Sequence, residues 1–66
     1  MKNRSMLLCM KYKIGTVDEY ALKIGVSKNR ALAILQQEVV LTDDEIKRNC
    51  EIFNCSSAYF LCLVEK

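Results

Sequence analysis

Apolar positions along the chain recur at helical spacing in short blocks, and four of those blocks open on a hydroxyl side chain suited to accept the orphaned N–H groups of a first turn. Thr16-Val17-Asp18-Glu19 and Thr42-Asp43-Asp44-Glu45 both have capping-box spacing, while Ser27 and Ser56 stand where N-caps belong. Gly15 and Gly25 each fall one residue past a helix end, where a left-handed backbone suits a residue without Cβ, and Asn54 is placed for the same task. This punctuation predicts helices over 4–13, 17–24, 28–36, 43–53 and 57–64. Glu38-Val39-Val40-Leu41 has no second matching run to pair with, so 37–41 is expected to be a loop whose valines pack inward. The fold class is therefore all-α, with five short helices in a single domain over 1–66.

The second and third helices are separated by only Gly25-Val26-Ser27, which is helix-turn-helix spacing. Ala21 is small enough for two helices to cross closely, and Gly25 allows the sharp turn. Tyr20, Ile24 and Val26 fill the wedge, and Ala31 and Ile34 supply the inward stripe of the second member. Its first turn, Lys28-Asn29-Arg30, then faces outward.

Charge adds direction to this picture. The net charge of +2 is too small to indicate a nucleic-acid partner, yet residues 1–30 carry net +5 and 31–66 net −3. The chain is 52% hydrophobic with no proline, which excludes a disordered tail, and a core this short gains from a partner surface. Its longest apolar run, Ala58 to Val64, falls far short of the roughly 20 residues that cross a bilayer, so a cytoplasmic protein is expected. Cys9, Cys50, Cys55 and Cys62 contain no Cys-x-x-Cys pair and there is no histidine, so they read as small buried hydrophobes, with no metal or cofactor implied. Without histidine, a paired-carboxylate cleft or a Gly-rich phosphate loop, catalysis is not expected.

Over about Thr16 to Leu61 the sequence resembles the Cro/CI family of phage-type regulators. The resemblance is carried by Thr16, Ala21, Gly25-Val26-Ser27 and Ile34, then by Phe53-Asn54-Cys55-Ser56 and Tyr59-Phe60-Leu61. It implies a lambda-repressor-like helix-turn-helix domain whose third helix enters the major groove of double-stranded operator DNA, and a homodimer that spaces two such helices about one DNA turn apart. Lys28, Asn29 and Arg30 are the implied principal contacts, with Ala33 and Lys13 beside them. Asn29 has the amide geometry for adenine, while Lys28 and Arg30 suit phosphates or guanine edges.

Departures from the family pattern open a second reading. Val17 stands where a polar phosphate-holding residue is common, and Leu32, Ala33 and Leu35 replace polar residues on the third helix. Lys13 and Leu35 together remove an Arg–Glu ion pair frequent in the family, and Gln37 replaces a glycine. Val17, Leu32 and Leu35 would serve an antirepressor that binds a cognate repressor, unless Leu32 or Leu35 packs back on the 37–41 loop. The run 58–64 is apolar around the whole helix, so Tyr59, Leu63 and Val64 are expected at a dimer interface.

Overall fold

The computed structural model describes residues 2–64. Five helices follow in order: α1 Ser5–Lys11, α2 Val17–Ile24, α3 Lys28–Leu35, α4 Asp43–Phe53 and α5 Ser57–Phe60, with no strand among the described residues. No helix is long and apolar enough to cross a membrane. The four expected N-caps all form: Thr16, Ser27, Thr42 and Ser56 each accept the N–H three residues on. At Thr42 the box is reciprocal, since the Glu45 carboxylate accepts the Thr42 N–H at 2.8 Å.

α2 packs on both α3 and α4, α4 on α5, and α1 on α3. Leu8, Tyr20, Ile24, Ala31, Ile34, Phe53 and Phe60 form the sealed centre. Ala21 is buried where α2 meets its neighbours, as its size requires. Buried polar pairs lie beside that core, Asn3 with Ser5 and Tyr20 with Asn49. The Tyr20 hydroxyl donates to Asn49 Oδ1, and Asn49 Nδ2 donates to the Glu45 carbonyl at 2.7 Å. Every buried side-chain polar atom among the described residues has a partner.

Several expectations are corrected. Leu35 is buried in the core, so the inward stripe of α3 is Ala31, Ile34 and Leu35, and Leu35 takes no part in an outer interface. In the 36–42 segment, Val39 and Leu41 turn inward while Val40 stands 69% exposed. α5 stops at Phe60 instead of running to 64. Arg4 causes much of this: its N–H bonds the Phe60 carbonyl at 2.8 Å, Nε the Tyr59 carbonyl at 2.7 Å and Nη2 the Val64 carbonyl at 2.7 Å. Cys62 then turns left-handed, with Cys62 N–H to Tyr59 O and Leu63 N–H to Ala58 O closing a Schellman end.

Asn3, also buried, closes the other side. Its Nδ2 donates to the Ile34 carbonyl at 3.1 Å, which also accepts the Gln37 N–H at 3.1 Å, tying the chain start to the end of α3.

Helix α1 also ends differently from expectation. Gly15 is not left-handed, and Lys13 occupies that conformation at φ 59°, with Lys13 N–H to Met10 O and Ile14 N–H to Cys9 O. A side chain there costs about 1 kcal/mol relative to glycine. Lys13→Gly is therefore expected to raise the melting temperature by a few degrees, whereas Gly15→Ala, with open space around the added methyl, should leave the fold intact. Thermal denaturation followed by circular dichroism checks both, and a lower melting point for Lys13→Gly would contradict the assignment of strain.

Candidate nucleic-acid interface

The α2–turn–α3 unit is built by local chemistry. Gly25 adopts φ 71°, and the Arg48 guanidinium lies over it, with Nη1 3.4 Å from the Ile24 carbonyl at the end of α2. Ser27 Oγ then accepts the Arg30 N–H at 3.2 Å and starts α3. Because Ala31, Ile34 and Leu35 point inward, the outer face carries Asn29, Leu32, Ala33 and Gln36, while Lys28, seven residues before Leu35, flanks the inward stripe beside Asp18 of α2. Lys28, Asn29 and Gln36 are exposed, Leu32 is 39% exposed and Ala33 half-buried. Asn29 makes no hydrogen bond through its amide among the described residues, so its donor and acceptor are both available. Lys28 Nζ lies 3.7 Å from Asp18 on α2, a solvated pair that holds little energy and is readily exchanged.

Arg30 differs from its expected role. Its Nε and Nη2 form a two-pronged bond to the Glu45 carboxylate, both at 2.8 Å, and Nη2 also reaches the Val40 carbonyl at 2.9 Å. The guanidinium thus ties α3 to the start of α4 and does not lead the outer face. Arg30 first, and the Thr42 backbone N–H after it, hold the Glu45 carboxyl below the usual carboxylate range against the opposing effect of burial. Arg4 is likewise taken out of the basic half by its three carbonyl contacts and by its place 4.4 Å above the Tyr59 ring.

The other expected site residues are dispersed. Lys13 is exposed at the end of α1, and Val17 is half-buried against the core at the start of α2. Tyr59 is half-buried beneath Arg4, while Leu63 and Val64 are exposed beside it. Gln36 was not singled out from the sequence, although its place four residues after Leu32 puts it on the same helical column. Asn3 and Glu45, which set the position of α3, and Asn49, which ties α4 to α2, were also missed as partners, because each acts through a contact 15 or more residues away. No group of three metal-ligating side chains occurs among the described residues. Comparison with protein-family models, with curated proteins and with solved structures gave no match.

Proposed function

We propose that the chain is a small transcription regulator that binds operator DNA in the cytoplasm by laying the outer face of α3 in the major groove, in the manner of the Cro/CI regulators it resembles. The observation that carries the reading is the exposed polar edge of Asn29 and Gln36, with Lys28 beside it in only a solvated pair with Asp18, on a helix fixed at both ends. Ser27 and the Arg30–Glu45 bridge hold one end, and Asn3 holds the other. Such fixation is what base readout needs, since a side-chain amide discriminates only when its helix is held in register. The chain measures 28 Å along its longest axis, less than the roughly 34 Å between successive major-groove faces on one side of DNA. One copy therefore reads one half-site, and useful specificity calls for a homodimer.

Anisotropy titration of the purified chain against duplex DNA from upstream of its own gene tests this. Asn29→Ala is expected to lose about 1–3 kcal/mol for the specific duplex and little for a scrambled one. Lys28→Ala should weaken both duplexes alike and lower the salt slope by about 1. No binding to any duplex at low salt would refute the proposal.

A second reading rests on Leu32, an exposed apolar side chain in the middle of the same face. It makes the face a contact surface for a cognate repressor, which the chain would inactivate without touching DNA. On that reading Leu32→Asp abolishes a complex with the repressor, and Lys28→Ala leaves it intact.

A further inference from the structure

Helix α4 ends in a left-handed Asn54 at φ 50°, and the N–H of Cys55 returns to the Cys50 carbonyl at 3.1 Å. This is the six-to-one bond of a Schellman end, a geometry that brings the side chains of its first and last residues into contact on one side of the chain. Usually that contact is apolar; here both members are cysteines. Their side chains are half-buried and line one open groove of about 540 Å³, together with Asp43, Ile46 and Lys47. The pair is hidden in the sequence by its four-residue gap, which matches neither a metal nor a redox motif.

We propose that Cys50 and Cys55 form a dithiol site at the α4–α5 junction, which low-molecular-weight disulfides oxidise to an intramolecular bridge. One cysteine thiolate attacks a sulfur of glutathione disulfide, forming a mixed disulfide and expelling one glutathione thiolate. The second cysteine thiolate attacks the protein sulfur of that mixed disulfide, closing the Cys50–Cys55 bond and expelling the other glutathione. The two protons lost by the protein thiols end on the two departing thiolates, so one disulfide is reduced for each bridge formed.

Burial first, and the Cys55 sulfur beside it second, raise the Cys50 thiol above its ordinary value, so exchange quickens as pH rises. The other two cysteines lie outside this pair. Cys9 is buried in the core, where burial and the Glu19 charge push its thiol up to about 11, and Cys62 lies in the turn after α5. The inference depends on the end of α4 alone and not on the function of α3.

The test is thiol–disulfide equilibrium with glutathione, run on the folded chain and on the chain in concentrated urea, with the bridge located by peptide mass spectrometry. A single Cys50–Cys55 bridge is expected, with an equilibrium constant at least about tenfold larger in the folded chain. By linkage the bridge then stabilises the fold by the same factor. Cys50→Ser and Cys55→Ser should each stop at a mixed disulfide on the remaining member of the pair. Equal constants in folded and unfolded chains, arrest of the wild-type chain at mixed disulfides, or bridges to Cys9 or Cys62 would each overturn the proposal. Because the folded-against-unfolded comparison uses the wild-type chain, it decides the matter even if a serine variant folds poorly.

Discussion

Asn49→Ala is expected to lower the unfolding free energy by about 3 kcal/mol, measured by urea denaturation at neutral pH. Asn49 has no exposed surface, and its amide bridges the Tyr20 hydroxyl to the Glu45 carbonyl. Truncation removes the acceptor of a buried phenolic O–H, whose other polar neighbour is Ser5, which costs about 1–3 kcal/mol, and the emptied volume adds to that. A domain of this length holds only about 3–10 kcal/mol in total, so the variant should lose roughly a third or more of its stability. Tyr20→Phe should cost less than Asn49→Ala, since it removes the donor and leaves only an acceptor unpaired. Combining Tyr20→Phe with Asn49→Leu should recover much of the loss, because two apolar groups replace a matched polar pair. Burial chiefly pushes the Tyr20 phenol far above its ordinary value. Phenolate absorbance from Tyr20 should accordingly rise only as the protein unfolds in alkali. Additive losses in the double variant would mean that the two side chains do not act as one unit.

The helix starts were legible because each depends on four adjacent residues: Thr16 to Glu19 and Thr42 to Glu45 contain both the cap and the N–H that it receives. The turn was legible for the same reason, since a left-handed Gly25 between two short amphipathic blocks needs no distant partner. What escaped was everything decided across the fold. Arg30 is a cation in the first turn of a helix, and nothing local distinguishes one that faces solvent from one that meets a carboxylate fifteen residues later. The run 58–64 has no period to mark where a helix stops, and its end is shaped by Arg4 from the other end of the chain. Leu35 lies beside Ile34 on α3, where a stripe two or three residues wide gives the same pattern; the packing decides that it is three. Lys13, Gln37 and Cys62 close helices in a conformation that favours glycine, as the expected Asn54 does, so a rule keyed to glycine found one helix end and misplaced another. The candidate site was therefore legible as a helix face and a turn, while the withdrawal of Arg4 and Arg30 into structural contacts was not.

Glu45→Ala is expected to cost about 2 kcal/mol and to loosen α3 from α4. One carboxylate is removed from three tasks: the return half of the Thr42 capping box, the two-pronged bond from Arg30, and burial at the start of α4. Glu45→Gln separates these, since its amide oxygen still accepts the Thr42 N–H while the charge facing Arg30 is gone. Arg30 holds the folded-state Glu45 below its ordinary value of 4.5, so the charged form is the one that stabilises the fold. That contribution is fully present above pH 4.5 and is lost as pH falls through the lowered folded value. The stability difference between wild type and Glu45→Gln should accordingly be constant near neutrality and shrink in acid, as measured by urea midpoints at stepped pH. A difference that stayed flat into strong acid would mean that the bond to Arg30 does not depend on the charge. DNA binding supplies the complementary reading. Because Arg30 is engaged with Glu45 and Val40, Arg30→Ala should destabilise the chain while leaving the salt slope of DNA binding unchanged, whereas Lys28→Ala should lower that slope and leave the melting temperature near wild type. If instead Arg30→Ala lowered the slope as Lys28→Ala does, the guanidinium would be leaving Glu45 to meet a phosphate, and the bridge would be a resting arrangement of the reading helix instead of its anchor.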